Sequence, residues 1–142
     1  MRMLLVLTVL LVGGLSGCTS ADVHQLQVES DIKSDYIEFL QYTITAAYYE
    51  GSLDQQYVQI VLDPDVVYPD IYFDELEEYE QLLQTIDALV SELIQKMERH
   101  QDMQFSGLAA GLATVDELRD FQRTLWDSYQ RYSDEDTLRA FD

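Results

Sequence analysis

The sequence predicts an all-α protein, a small elongated bundle of three to four main helices, and three observations carry that prediction. Apolar residues after residue 22 recur mainly at steps of three and four, the period of one helix face. Breaks fall at a few places, at two prolines and at short glycine-containing stretches, and so separate long segments. The one cysteine, Cys18, leaves no disulfide or cysteine-based zinc site to support a fold, so stability must come from packing. From Cys18 to Asp142 the chain has the size of one domain that buries roughly two thirds of its unfolded surface.

The first helix is expected from about Val23 to Glu50. Val23, Leu26, Ile37, Leu40, Ile44 and Ala47 form its stripe, and Ile32, Tyr36, Phe39 and Tyr48 widen it. Gly51 and Ser52 punctuate it. The segment Leu53 to Leu62 is rich in β-branched residues, yet an isolated strand would have no partner, so it reads as helix. Asp63-Pro64-Asp65 to Tyr68-Pro69-Asp70 is the clearest break, because each proline disfavours helix at the residue before it.

Ile71 to Met103 is the most regular segment. Leu76, Tyr79, Leu83, Ile86, Val90, Leu93 and Met97 alternate strictly by three and four, the seam of a helix that packs lengthwise on other helices. Leu82, Leu89 and Ile94 broaden that seam, which favours an intramolecular bundle over a two-stranded coiled coil. Acids at the start and Lys96, Arg99 and His100 at the end suit the helix dipole. At 1.5 Å per residue this helix would be about 50 Å long. Gly107 and Gly111 are expected to cap it and turn the chain. Thr114 and Glu117 then form a capping box for a helix with Val115, Leu118, Phe121, Leu125, Trp126, Tyr129 and Tyr132 on its apolar side. Asp127 and Arg131 are spaced to pair on it. Ser133 to Asp136 caps a short tail helix through Phe141.

Ahead of this body, Arg2 gives a positive start and Leu4 to Val12 is apolar apart from Thr8. The run is too short for a transmembrane helix, which needs about 20 apolar residues, and it suits the core of a signal peptide. Its ending, Leu15-Ser16-Gly17-Cys18, resembles the lipobox of bacterial lipoprotein precursors. The resemblance covers residues 1 to 18 alone. It implies removal of a signal peptide over 1–17, acylation of Cys18, a short tether over 18–22 and an acidic helical domain over 23–142. It also implies attachment to a membrane of the cell envelope through the lipid, with no other cofactor. Thr19 and Ser20, in place of an Asp after the cysteine, favour the outer membrane in a Gram-negative host.

Charge narrows the partners. After residue 17 there are 27 acids against 7 Lys and Arg. No base stands between Lys33 and Lys96, where fourteen acids do, eight of them from Asp63 to Glu80. Such a surface repels nucleic acid and anionic headgroups, which leaves the lipid as the membrane contact. From Lys96 on, six bases accompany ten acids, so the C-terminal segment is expected to pack beside the acidic middle. Asp exceeds Glu, Lys occurs twice and Asn never. This bias reads first as adaptation to a saline medium and second as an acidic face for a basic partner or divalent cations.

No catalytic constellation emerges. The acidic loop from Asp63 lacks the Gly at position six and the Glu at position twelve of an EF-hand, where Tyr68 and Asp74 stand. His24 and His100 each lack a neighbouring ligand in the sequence and read as surface residues. Serine-nucleophile and phosphate-loop motifs are absent, and carboxylates are too many for any chosen pair to mark glycoside hydrolysis. The candidate site is therefore a protein-binding surface made of Asp74, Glu75, Glu77, Glu78, Tyr57 and Tyr68. Tyr36, Tyr48, Tyr72, Tyr79, Tyr129 and Tyr132 read as core or half-buried. The expected function is a non-enzymatic envelope lipoprotein that binds another protein as a structural accessory. The alternatives are a surface-exclusion or inhibitor lipoprotein that blocks a foreign factor and, last, a carboxylate-dependent envelope hydrolase.

Overall fold

The computed structural model describes residues 20–63, 65, 68–103 and 111–141, and among them the protein is all-α. Helix α1 spans Ser20–Leu62, α2 Pro69–Arg99, α3 Val115–Thr124, α4 Asp127–Tyr132 and α5 Glu135–Leu138, followed by a 3-10 turn at Arg139–Phe141. The first two helices pack lengthwise against each other, α3 packs on α2, α4 touches both, and α5 packs on α4. At 1.5 Å per residue, α1 is about 64 Å long and α2 about 47 Å, so the molecule is elongated.

The α2 seam matches the sequence reading. Tyr72, Leu76, Tyr79, Leu83, Ile86, Val90 and Leu93 are all buried, and Met97 packs against them. Pro69 opens the helix, where its missing N–H leaves no vacancy. The helix ends at Arg99, short of the expected Met103, and His100 caps it through an N–H donated to the Met97 carbonyl. Beyond Met97 the next residues offer no apolar side chain to the seam. Gly107, expected as the cap, lies outside the described residues.

Helix α1 departs from expectation in three ways. It begins at Ser20, so Ser20 to Asp22, assigned to the tether, are its first turn. It runs through Gly51 and Ser52 without a break, because Leu53 and Ile60 continue the buried stripe beyond them. Its buried stripe is also a different one: Ile32, Phe39, Ala46, Leu53 and Ile60, five residues spaced by seven. Val28, Tyr36, Tyr42, Tyr49 and Tyr57 flank that line as partly buried neighbours. A seven-residue repeat keeps contact with the matching repeat of α2 over the whole length. The stripe read from the sequence, with Val23, Leu26, Ile37, Leu40 and Ile44, faces solvent, and so does Tyr48 at 75% exposure.

The C-terminal third forms as one apolar side broken by a turn. Thr114 accepts from the Glu117 N–H at 3.2 Å and donates its own N–H to the Glu117 carboxylate at 2.7 Å, completing the capping box. The single helix expected from here is divided at Leu125 and Trp126, where the Thr124 hydroxyl bonds the Phe121 carbonyl at 3.2 Å. Leu118, Leu125 and Tyr132 are buried on one side across that turn. Asp134 caps α5 by accepting from the Asp136 N–H. Among the described residues the buried apolar core runs from Ile32 to Tyr132.

Candidate functional site

The six residues proposed as a partner surface separate into two groups. Glu75 is half-buried in the seam, where its carboxylate accepts from the Ser52 hydroxyl and the Gln56 amide, both at 2.6 Å. Tyr57 stands edge-on to Tyr132 with centroids 6.3 Å apart, so it belongs to the core margin. Both serve the fold, which corrects their assignment as surface residues. Asp74, Glu77, Glu78 and Tyr68 are exposed, and Asp70 joins them on the same side of α2 at steps of three and four. No base pairs with Asp70, Asp74, Glu77 or Glu78 among the described residues; Glu77 accepts only from Gln81. Cys18 lies outside the described residues.

Most cations of the second half of the chain are occupied internally. Lys96 bonds Asp35 and lies 3.6 Å from Asp31 and 3.4 Å from Glu92, tying α1 to α2. The hydrogen bond to Asp35 raises the Lys96 pKa above its ordinary value. Arg119 bonds Glu98 of α2, and Arg131 reaches Asp54 of α1 at 3.4 Å in place of the expected Asp127. Thus the C-terminal segment does pack beside the acidic middle, and Asp70 to Glu78 remains an unneutralised acidic ridge.

A polar cluster around Tyr132 was missed from the sequence, because its members come from three helices. Tyr132, fully buried, donates its hydroxyl to Asp54 at 2.5 Å. Its carbonyl accepts from the Tyr72 hydroxyl at 2.7 Å. Tyr129 donates to Glu80 at 3.0 Å, and Ser128 bonds Glu50. Burial pushes Tyr72 and Tyr79 up to about 12, and it raises Tyr132 further with help from the bond to Asp54. These bonds hold α4 on α1 and α2. Beside them a cleft of about 230 Å³ is lined by Ala46, Leu83, Ile86 and Leu125, with Glu50 and Ser128.

The two histidines, distant in sequence, meet across the seam with ring centroids 6.4 Å apart, which corrects their reading as isolated. No third His, Cys or carboxylate completes a metal-ligand group among the described residues. No described helix is long and apolar enough to cross a membrane. In comparisons with known proteins, the chain matches no family model, no curated protein and no solved structure.

Proposed function

We propose that this chain is a lipid-anchored protein of a bacterial cell envelope whose helical body binds another protein as an accessory or structural component. One observation carries the reading: an apolar run that ends in Leu15-Ser16-Gly17-Cys18, with the only cysteine of the chain at the position a lipid would take. Two acyl chains suffice for stable anchoring, since each buried methylene contributes about 0.8 kcal/mol. The acidic ridge supports a basic protein surface as the partner. Its carboxylates at Asp70, Asp74, Glu77 and Glu78 lie exposed with no paired cation among the described residues, whereas most bases of the second half of the chain are paired.

The anchor is tested by acyl labelling and membrane fractionation of the full chain. The expected result is a labelled protein in the outer-membrane fraction and loss of both label and attachment in Cys18→Ser. Attachment unaffected by Cys18→Ser would sink the reading. The ridge is tested by affinity capture with Asp74→Asn, Glu77→Gln and Glu78→Gln combined, leaving Glu75 in place because it holds the seam. Capture of an envelope assembly subunit that is lost in the triple variant supports the accessory role. Capture of foreign factors alone would replace it with surface exclusion.

A further inference from the structure

We propose that the cleft between α1, α2 and the bend from α3 to α4 binds an alkylammonium group, a cationic amine on a short apolar stem. The inference stands on the cleft alone and rests on neither the lipid anchor nor the acidic ridge.

The cleft lies where the C-terminal third bends. Helix α3 ends at Thr124 and α4 starts at Asp127, so the chain turns at Leu125 and Trp126. Ala46 and Ala47 of α1 present only small side chains there, and about 230 Å³ stays unfilled. At about 30 Å³ per water in the liquid this is room for about seven or eight waters, below the roughly 300 to 1,000 Å³ of drug-sized pockets. It suits a ligand the size of one side chain. From Thr43 to Glu50 the cleft follows about 10 Å of α1.

Its two ends differ. Leu83, Ile86, Phe121 and Leu125 make the walls apolar, and Phe121 stands edge-on to Phe39, one turn before Thr43. At the other end Ser128 donates its hydroxyl to Glu50 Oε1 and shares a hydrogen bond with Tyr79. Among the residues lining the cleft, Glu50 alone is charged. Its carboxylate makes no ion pair among the described residues, and Arg131 is held instead by Asp54 at 3.4 Å. Ser128 is the one side-chain donor to that carboxylate among the described residues, which leaves Glu50 Oε2 to a ligand.

The hydroxyls decide the charge of that ligand. Thr43 donates to the Phe39 carbonyl at 2.8 Å, Thr124 to the Phe121 carbonyl at 3.2 Å, and Ser128 to Glu50. Their protons are committed and no base lines the cleft, so an anion would meet a carboxylate of its own sign. A cation meets an acceptor partly withdrawn from water, where opposite charges attract more strongly than in bulk solvent, beside the rings of Tyr79 and Phe121. The apolar walls cover the methylenes of its stem. Two sources supply such a group, a free small amine and the lysine side chain of a protein partner.

The probes are n-butylammonium and a capped pentapeptide with one lysine among alanines, titrated into the full chain while the methyl NMR resonances of Leu83, Ile86 and Leu125 are followed. Butylammonium is expected to shift them saturably, with affinity rising about fourfold per methylene from ethylammonium to butylammonium. Butyrate and n-butanol should bind at least about tenfold more weakly. Glu50→Gln keeps an acceptor for Ser128 and removes the charge. It should weaken butylammonium at least about tenfold, leave n-butanol unchanged and preserve helix content. Ala47→Phe, at an exposed position, should fill the cleft and abolish the shifts for every probe, which keeps the test open if Glu50→Gln loosens α4. Shifts by the peptide assign the cleft to a partner's lysine, and shifts by the amine alone assign it to a free amine. The proposal is overturned if neither probe shifts these methyls, or if n-butanol or butyrate binds as tightly as the amine. Undiminished binding of both probes to a folded Glu50→Gln chain overturns it as well.

Discussion

Tyr132 joins α4 to both long helices. Its ring is fully buried between Tyr57 and Tyr79, its hydroxyl serves Asp54, and its carbonyl receives Tyr72. Tyr132→Phe keeps the ring and removes the bond to a carboxylate, so it is expected to cost about 1.5 kcal/mol, read from the urea midpoint. An unchanged midpoint would mean that water replaces the hydroxyl at Asp54. The same residues set an alkaline limit. Tyr72 and Tyr79 have folded values of about 12 against an ordinary value of 10, so the folded state holds their protons more tightly. That contribution is fully present below pH 10 and is lost as pH rises through 12. Absorbance at the tyrosinate band and helical circular dichroism should therefore change together in that window. Full tyrosinate absorbance by about pH 10 with the helices intact would contradict it.

Whole helices show how far the sequence could be read. Glycine in a helix interior costs roughly 0.5 to 1 kcal/mol relative to alanine. A first side-chain carbon at Gly51 meets nothing within 4 Å, so Gly51→Ala is expected to stabilise α1 by that amount in thermal melts. A loss of stability would mean that the helix needs glycine there. This glycine misled the sequence reading because punctuation was weighed locally, whereas Leu53 and Ile60 beyond it supply burial that outweighs the cost. The α2 seam was legible because its apolar residues alternate cleanly and its other side is acidic. In α1 hydrophobicity occurs on both sides, and periodicity cannot say which side is inside. Five residues at a seven-residue spacing, Ile32 to Ile60, were the signal that could have decided it, since α2 keeps the same repeat. Of the six residues proposed for a partner surface, Asp74, Glu77, Glu78 and Tyr68 are exposed, as a polar outer side of α2 and its N-cap would have them. Glu75 is half-buried, and no local pattern could show it because its partners Ser52 and Gln56 lie in another helix.

At the scale of the whole molecule, charge is the dominant unbalanced quantity. Among the described residues the ion pairs gather around Lys96, Arg119, Arg123, Arg131 and Arg139, while the ridge from Asp70 to Glu78 has none. Repulsion between uncompensated carboxylates falls once the Debye length shrinks from about 10 Å at 0.1 M salt to about 3 Å at 1 M. The unfolding midpoint is therefore expected to rise with sodium chloride over that range. Equal stability at both concentrations would refute adaptation to a saline medium and leave the acids to a binding role.

The unbroken course of α1 has a mechanical consequence. Ser20 lies at one end of a helix that runs without interruption to Leu62, and α2 returns alongside it to Arg99. Tension applied between residues 20 and 62 travels along one helix axis and loads its seam in shear. Tension between residues 20 and 99, which lie at the same end of the hairpin, peels the seam one layer at a time. Single-molecule pulling should thus give a higher rupture force for the first pair of handles than for the second, and equal forces would deny the helix its role as a strut.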